Sequence, residues 1–387
     1  KTFGIYSQQW KTQTNGFVLN FTVSLKYSLV NEPENYSEDI VLNIIENTEP
    51  VTSDNNPQPV HIIAIMNESF ADFSEYNVPY SADPTPFLHS LTENTIKGTM
   101  YSPVTGGGTA NVEFEFLTGN SIAFLPANSV AYQLYLKDNT PSLVSQLKSL
   151  GYSSVAYHPY KSSGWNRTSV YNWLGFDKQM YQEDTIDPYY IRGYISDQSD
   201  YENLYYLTDN AGDEPLFIFN VTMQNHSGYK LPWTNLDRSI WLTGDMENRY
   251  SDADQFFSLM RASDNALRNL ISHYSNTDVP TMIIFFGDHQ PPLTNSFYEE
   301  ITGVSMDNRD TREVLKQYTT PFFIWTNYDI EEKEDIILSP WGLGVLAMKT
   351  ANIELTGYQE FLYSLMNELP VITPAGYISS NGQVFFT

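Results

Sequence analysis

The feature that most constrains the fold is a series of short apolar segments separated by amphipathic ones. Residues 60–66, Val-His-Ile-Ile-Ala-Ile-Met, form a nearly continuous apolar run, which is typical of a strand buried on both faces. Four comparable runs follow, at residues 152–157, 216–221, 281–286 and 322–325. Helical patterns occur at residues 111–117, 142–150, 251–274 and 357–367. This alternation predicts an α/β fold with a mostly parallel central sheet flanked by helices.

Three parts are expected along the chain. Residues 1–55 form a polar arm with a short helix at 38–45. Residues 56–327 contain the main α/β domain. Residues 328–387 form a small C-terminal sheet-and-helix subdomain whose last hairpin has Asn381-Gly382 near its turn.

The composition limits the binding partners that the protein can have and the cellular compartment in which it can act. The chain has 46 acidic and 20 basic residues and a formal charge of -26, which argues against nucleic acid and against broad adhesion to anionic lipid. It has no cysteine, so neither disulfides nor thiol chemistry are expected. It lacks an apolar run of about 18 residues, the length of a membrane span. The start at Lys1 without Met suggests a processed or excised domain.

Four polar segments, most of them at predicted strand ends, carry residues that bind metals or phosphates. They are residues 65–69, 106–111, 224–227 and 287–290. In a parallel sheet, ligands bind beyond the carboxyl ends of the strands, so we expect these loops to converge. A cation site needs carboxylate and imidazole groups at one point, which Glu68, Asp288 and His289 would supply. The alternatives are that Asp288 and His289 form a hydrogen-bonded loop pair and that Glu68 is a solvated side chain.

Three glycines and a threonine precede the predicted helix at 111–117. Glycines let the backbone approach a phosphate, and the helix N-terminus favours an anion and a partly ionised hydroxyl. Thr109 is therefore placed as a nucleophile, although a glycine loop with a capping threonine would look the same. His226 could likewise be a packing or capping residue rather than a catalytic one.

Residues 158–167 offer an edge that could bind an anion. Arg167 can bind a phosphate in bidentate fashion, and Trp165 can wall off the small group attached to it. His158 is the first residue of this segment. A surface arginine beside a half-buried tryptophan is the alternative interpretation.

Taken in order, these motifs resemble the extracellular catalytic domain of the lipoteichoic acid synthase family, within the sulfatase and alkaline phosphatase superfamily. The resemblance runs from about residue 60 to about residue 327. The segments that carry it are Met66-Asn67-Glu68-Ser69, the glycine–threonine segment followed by Glu113-Phe114-Glu115-Phe116-Leu117-Thr118-Gly119, His158, Trp165-Asn166-Arg167, Gln224-Asn225-His226 and Gly287-Asp288-His289.

The resemblance implies one divalent cation, usually manganese in this family and otherwise magnesium or zinc. Its ligands would be Glu68, Thr109, Asp288 and His289. Thr109 would be the nucleophile, and His226 would assist proton transfer. The phosphoglycerol group would be contacted by His158, Trp165, Arg167 and His226.

The implied reaction moves glycerophosphate from phosphatidylglycerol to an acceptor hydroxyl on a glycolipid or a polyglycerolphosphate chain. It would take place on the extracytoplasmic face of a bacterial membrane, where the family is anchored by preceding helices that are missing here. Other possibilities are a phosphoethanolamine or phosphoglycerol transferase that decorates a glycan, a phosphodiesterase that uses water, or a teichoic-acid-binding module without activity.

Two departures from related sequences bear on this expectation. Gly108 stands where the synthases often have a lysine, and this difference weakens the prediction that the chain builds a polymer. Sulfatases need a cysteine or serine that is converted to formylglycine, whereas this chain has Thr109 there and no cysteine. The second departure argues against hydrolysis of sulfate esters.

Overall fold

A computed structural model describes residues 16–27, 30, 32–51, 61–230 and 233–385. The strands are β1 (His61–Asn67), β2 (Thr95–Tyr101), β3 (Ser153–Tyr157), β4 (Lys178–Met180), β5 (Tyr190–Ile191), β6 (Tyr194–Ile195), β7 (Leu216–Val221), β8 (Thr281–Gly287), β9 (Thr319–Thr326), β10 (Lys333–Leu338), β11 (Val371–Thr373), β12 (Gly376–Ile378) and β13 (Val384–Phe385). The α-helices are α1 (Phe17–Tyr27), α2 (Glu38–Asn47), α3 (Pro86–Ser90), α4 (Thr109–Thr118), α5 (Ala131–Leu134), α6 (Leu143–Ser149), α7 (Arg167–Leu174), α8 (Asp197–Ala211), α9 (Ser251–Tyr274), α10 (Asn295–Thr302), α11 (Thr311–Lys316), α12 (Pro340–Thr350) and α13 (Gly357–Glu368).

The main sheet has eight strands in the order β10-β2-β9-β8-β1-β7-β3-β4. Only β9 among them is antiparallel to its neighbours, β8 and β2, and every other adjacent pair is parallel. The predicted mostly parallel sheet is therefore confirmed. All five apolar runs form strands of this sheet, with Val60 lying outside the described residues.

Strand β9 runs backwards because of how the chain reaches it from β8. The intervening segment stays near the carboxyl edge, where the Gln290 side-chain amide donates to the carbonyl oxygens of Lys316 and Thr319 at 2.8 and 3.1 Å. The chain thus enters β9 from the edge at which β8 ended. An apolar run shows that a strand is buried, but not in which direction it points.

The sheet separates two hydrophobic cores. Alternate residues of β1 enter opposite cores, with Ile62 and Ala64 on one side and Ile63 and Ile65 on the other. Helices α4, α6 and α12 cover the first face, and α8, α9 and α10 cover the second. A fully buried aliphatic side chain contributes roughly 1.5–3 kcal/mol, so a strand apolar at every position is stabilised only when both faces are covered.

Three strands of the main sheet have no clear apolar run in the sequence. These are β2, β4 and β10. Strand β10, Lys-Glu-Asp-Ile-Ile-Leu, lies at the sheet edge with its first three residues exposed. Charged residues are compatible with an edge strand because only one side of it pairs.

The end of the chain contributes to two sheets. Within residues 328–387, strand β10 joins the main sheet, while β11, β12 and β13 form a separate antiparallel sheet. The predicted terminal hairpin is thus present, apart from Phe386, which lies outside the described residues. The boundaries at residues 55 and 327 stay predictions.

In the N-terminal arm, α2 includes the predicted helix at 38–45. Its N-cap is Ser37, whose hydroxyl accepts from the Ile40 N–H at 3.2 Å. In the part of the arm that the structure describes, α1 and α2 expose apolar side chains such as Phe17 and Ile45. Across all described residues, none of the helices combines the length and the apolar character required to span a membrane.

Candidate active site at the carboxyl edge of the sheet

Three of the predicted metal ligands meet beyond the ends of the neighbouring strands β1 and β8. One ligand atom each of Glu68, Asp288 and His289 lies within 4.8 Å of the others. The His289 Nε2 atom is 3.3 Å from Oδ2 of Asp288 and 3.8 Å from Oε1 of Glu68. All three side chains are buried. A single cation with bonds of about 2.0–2.2 Å fits between ligand atoms at these separations.

The register of the sheet brings the two carboxylates together. Asn67 is paired with Gly287, so the next residues of the two strands, Glu68 and Asp288, leave the sheet side by side. A residue larger than glycine does not fit at position 287, because its Cβ would lie 1.8 Å from the carbonyl oxygen of Phe70. The close approach of the two loops thus depends on Gly287.

Hydrogen bonds to the backbone leave Oδ2 of Asp288 and Nε2 of His289 facing each other. Oδ1 of Asp288 accepts from the backbone N–H groups of Ser69 and His289, at 2.7 and 2.8 Å. Its Oδ2 is buried and has no hydrogen-bond partner of normal geometry among the described residues. The His289 Nδ1–H donates to the carbonyl of Gln290 at 3.0 Å, which leaves Nε2 at 3.3 Å from Oδ2. This arrangement requires a positive charge between the two atoms, either a proton on Nε2 or a metal cation.

The electrostatics of the cluster agree with this interpretation. Burial raises the pKa of the Asp288 carboxyl, and the nearby Glu68 carboxylate raises it further. Burial alone would lower the pKa of His289, but the two carboxylates outweigh this effect and raise it overall. A divalent cation would compensate the buried negative charge. The donor set of two carboxylates and one imidazole fits manganese, magnesium or zinc.

Thr109 is the first residue of α4 and lies against the same cluster. Its hydroxyl lies near enough to the Asp288 carboxylate to lower the pKa of that carboxyl. Gly108, the N-cap, has φ 101°, a conformation that side chains disfavour. The N–H of Gly106 donates to the Gln290 carbonyl at 3.1 Å and ties the glycine loop to the loop after β8. The positive end of α4 and the cation site therefore act on the same hydroxyl.

Arg167 lies in a buried ion pair. Its Nε and Nη2 atoms donate to Oε1 of Glu113 at 3.0 and 2.6 Å. Its Nη1 donates to Nε2 of His158 at 3.2 Å, while the His158 Nδ1–H donates to the Val221 carbonyl at 2.8 Å. Burial, followed by the Arg167 charge, holds the pKa of His158 well below its ordinary value. Both ring nitrogens of His158 thus form hydrogen bonds, and the bond to Arg167 orients the guanidinium.

Trp165 lies two residues before Arg167 and is half-buried against the first hydrophobic core. Its φ of 56° places it in a left-handed turn that leads into α7. The predicted contacts of His158, Trp165 and Arg167 with a phosphoglycerol group stay predictions.

His226 is half-buried in the loop after β7. Its Nδ1 is 3.2 Å from the hydroxyl of Tyr194, and the two rings lie 5.4 Å apart. Tyr160 continues this aromatic wall, 5.8 Å from Tyr194 and 6.2 Å from the ring of His158. The hydrogen bond through Nδ1 leaves Nε2 of His226 as the nitrogen available to a ligand.

Arg192 supports the loop that carries His226. Its Nη2 donates to the carbonyls of Gln224 and His226 at 2.7 and 2.6 Å. The guanidinium lies between the rings of Tyr194 and Tyr229, 5.3 and 5.4 Å from their centroids. Arg192 is buried, and its charge interacts with Glu68. It is thus a cation near the metal ligands that sequence reasoning missed.

A buried polar network lies behind the two loops. Asn67 donates to Oδ2 of Asp197 at 2.8 Å and accepts from the Asn225 amide at 3.1 Å. Gln224 accepts from the backbone N–H of Asp197 at 3.0 Å, and Ser263 donates to the same carboxylate at 2.5 Å. Burial raises the pKa of Asp197 to about 6. This network links β1, β7 and α8 and fixes the position from which His226 is presented.

Comparison with known proteins supports the resemblance seen in the sequence. Over 390 residues, the chain is 32% identical to the "Putative cyclic beta-1,2-glucan modification protein" of Rhizobium meliloti, covering 98% of this chain and 59% of that protein. Over 244 residues it is 29% identical to the lipoteichoic acid synthase of Staphylococcus saprophyticus, covering 59% of this chain and 35% of the synthase. The chain therefore spans about half the length, or less, of these relatives.

Among solved structures, the fold is similar to that of the phosphoglycerol transferase GacH of Streptococcus pyogenes, determined in complex with sn-glycerol-1-phosphate. The TM-score is 0.75 at 22% identity, covering 89% of this chain and 91% of that one. Residues 60–366, which include all four polar segments, match the Sulfatase family. With the expected lipoteichoic acid synthase relatives confirmed, the chain belongs to the sulfatase family.

Proposed function

We propose that this chain is a phosphotransferase that moves a phosphoglycerol group from a phospholipid to an acceptor hydroxyl, with Thr109 as the nucleophile. The observation that carries this proposal is the position of the Thr109 hydroxyl beside the Asp288 carboxylate, at the N-terminus of α4 and against the cluster of Glu68, Asp288 and His289. A hydroxyl in this position can be activated by a cation, while the glycine loop admits a phosphate.

The residues present would hold one divalent cation through Glu68, Asp288 and His289, with Thr109 beside it, and we propose manganese ahead of magnesium or zinc. When bound, the cation would favour ionisation of the threonine hydroxyl and neutralise charge on the phosphoryl oxygens. The orphaned Oδ2 of Asp288 is the structural reason to expect it.

The reaction proceeds in two displacements. Thr109 gives up its hydroxyl proton to solvent, and its Oγ1 attacks the phosphorus of phosphatidylglycerol. The bond from phosphorus to the diacylglycerol oxygen breaks, and His226 gives a proton to that oxygen. An acceptor hydroxyl then loses its proton to His226 and attacks the same phosphorus. The bond to Thr109 breaks, the threonine oxygen takes a proton from solvent, and the acceptor carries the glycerophosphate.

Arg167, His158 and Trp165 would form the far wall of the phosphoglycerol pocket. The Glu113 carboxylate and the His158 ring hold the guanidinium of Arg167 through all three of its nitrogens. Arg167 thus contributes a preorganised positive charge rather than a mobile clamp. The half-buried Trp165 is placed to pack against the small glycerol group.

A glycan is a second candidate acceptor beside a glycolipid or a polyglycerolphosphate chain. The observation that favours it is the relative whose name refers to modification of cyclic β-1,2-glucan and whose alignment covers 98% of this chain. Phosphoethanolamine transfer or release of the headgroup to water would use the same site and differ only in the donor or the acceptor. Binding of teichoic acid without catalysis would need neither an ionised Thr109 nor a metal.

We place the reaction on the extracytoplasmic face of a bacterial membrane. Support comes from the expected lipid donor and from the lipoteichoic acid synthase relatives. A phospholipid headgroup is reached at a membrane surface.

The test uses phosphatidylglycerol with one label in its headgroup and another in its acyl chains, in the presence of manganese. The acyl label reports release of diacylglycerol, and the headgroup label reports the group left on the protein. Wild-type protein should release diacylglycerol and should carry a glycerophosphoryl adduct on the peptide containing Thr109 when acceptor is withheld. Thr109→Ala should fold, bind the metal and release none, whereas Thr109→Ser, which keeps a hydroxyl, should retain part of the activity. Normal release of diacylglycerol by Thr109→Ala would refute the proposed nucleophile.

A further inference from the structure

A cavity of about 450 Å³ lies next to the active site, between the loop after β7 and the start of α9. Its walls include Tyr229, Lys230, Trp233 and Arg238 from the loop, and Asp254 and Gln255 from the helix. This volume falls within the roughly 300–1,000 Å³ typical of small-molecule sites. The active-site chemistry described above does not use it.

The side chain of Tyr229 lies between the cavity and the active site and contacts both. Its hydroxyl donates to the Asn225 carbonyl at 2.5 Å, one residue before His226, and lies near Ser69 and Glu68, both of which affect the pKa of Tyr229. Its ring lines the cavity and packs against Arg192. A molecule held in the cavity would therefore lie just across Tyr229 from Glu68 and His226.

The loop is tied to the β5–β6 hairpin, which also bears on the active site. The Asn235 side chain accepts from the Arg192 N–H at 3.2 Å and donates to the carbonyls of Tyr190 and Arg192, both at 3.1 Å. A Cβ at Gly193 would lie 4.0 Å from the Trp233 ring, so the ring rests against the hairpin. Trp233 is nevertheless 39% exposed, with apolar surface available to a ligand.

The chemistry of the walls fits a sugar ring better than a lipid. Two aromatic side chains offer flat apolar faces, which suit the C–H face of a hexose. Around them are groups that donate or accept hydrogen bonds, and Arg238 is held by Asp254 at 2.5 Å. Asp254 also accepts from the Leu242 N–H at 2.7 Å, so this polar pair is fixed in place. Sugar hydroxyls could add hydrogen bonds to these polar groups, whereas an acyl chain could not.

We propose that this cavity is the acceptor subsite and binds a hexose unit of a glycan, with Trp233 as the stacking surface. The inference rests on the proposed transfer and specifies the acceptor class. The bound hexose anchors the glycan beside Tyr229, so that another hydroxyl of the same glycan can reach the phosphorus held at Thr109. Loss of the stacking ring should weaken acceptor binding while leaving attack on the donor unchanged.

The test compares Trp233→Ala with Trp241→Ala. Trp241 is equally exposed, at 39%, but lies outside the cavity wall, so it controls for loss of a surface tryptophan. With phosphatidylglycerol and cyclic β-1,2-glucan, Trp233→Ala should raise the glucan KM about tenfold or more. Release of diacylglycerol without acceptor should stay within twofold. Trp241→Ala should change neither quantity.

A second variant fills the cavity instead of emptying it. Ser251 lines the cavity, is exposed and is the first residue of α9, so Ser251→Tyr should fold normally and raise the glucan KM as well. A glucan KM within twofold of wild type in both variants would overturn the inference. So would a wild-type protein that accepts polyglycerolphosphate and ignores glucan.

Calorimetry separates this inference from the proposed function. Glucan titrated into metal-free wild-type protein should bind, and binding to Trp233→Ala should be at least about tenfold weaker. That result would support the subsite even if no donor were cleaved, in which case only the proposed transfer would fail. Equal binding by both proteins, or no binding by wild type, would refute the subsite whatever the activity.

Discussion

Oδ2 of Asp288 and Nε2 of His289 face each other at 3.3 Å, buried, with their other polar atoms already engaged by the backbone. These two atoms need a positive charge between them, supplied by a bound cation or, without one, by a proton on His289. Asp288→Asn removes the negative charge and should lower manganese affinity by at least about 100-fold, since even supporting residues around a metal cost 10–100-fold when they are lost. The loss is measured by elemental analysis of the manganese that each protein retains after dialysis.

Asp177→Asn is the matched control for metal binding. Asp177 is a partly exposed carboxylate that pairs with Lys148. This variant should retain as much metal as wild type. An Asp288→Asn protein with an unchanged metal content would show that the cluster is not the binding site.

Arg192 should influence turnover through His226 without binding the metal. Arg192→Met removes both hydrogen bonds to the carbonyls of Gln224 and His226 and leaves those acceptors unpaired, a change worth about 1–3 kcal/mol. We expect kcat to fall about tenfold or more while the metal content stays the same, because about 1.4 kcal/mol corresponds to a factor of ten.

Arg192→Lys separates charge from geometry. A lysine keeps the positive charge but lacks the planar fork, so it should restore only part of kcat. The measurement is the kcat of wild type, Arg192→Met and Arg192→Lys by steady-state kinetics, together with the metal content of each protein. A wild-type kcat in Arg192→Met would contradict the positioning role.

Glu113 should contribute strongly to stability because it neutralises Arg167 inside the protein. The side chains of Glu113 and Arg167 are 0% and 4% exposed. Glu113→Gln leaves a buried guanidinium without its counterion, which typically costs about 3–5 kcal/mol. Denaturant unfolding measures the change. For comparison, Glu300→Gln breaks a surface pair with Arg249 and should have little effect. Equal stability of the two variants would refute the argument.

His89 should make stability depend on pH. The Asp72 carboxylate, assisted by Asp83, raises the pKa of His89 from 6.5 to about 9. The folded state therefore favours protonated His89. The resulting stabilisation is fully present below pH 6.5 and is lost as the pH rises through about 9. We expect roughly 1–2 kcal/mol after allowing for solvent screening of this partly exposed group.

The measurement for His89 is the free energy of unfolding of wild type and His89→Gln between pH 6 and 10. The difference between the two proteins should shrink across this range, because the variant has no charge to lose. A constant difference would contradict the assigned ion pairs with Asp72 and Asp83.

The sequence by itself determined the sheet core and the convergence of its loops. Glu68 and Asp288 directly follow buried strands, and carboxyl ends of parallel strands meet at one edge, so local pattern predicts their proximity. Thr109 could be placed in the same way, because glycines before a predicted helix indicate a phosphate-binding turn. Each of these inferences needs only the local sequence and the rule that ligands bind at the carboxyl edge of a parallel sheet.

The tertiary structure alone decided the surroundings of that core. Arg192 follows a strand of two residues, and only the docking of its hairpin places it under His226. The pairing of Arg167 with Glu113 joins two helices that are adjacent in space but distant in sequence. Strand β10 has charged residues and is a strand only because β2 offers it an edge. These features arise from side chains and backbone groups that meet after folding, so no local pattern encodes them.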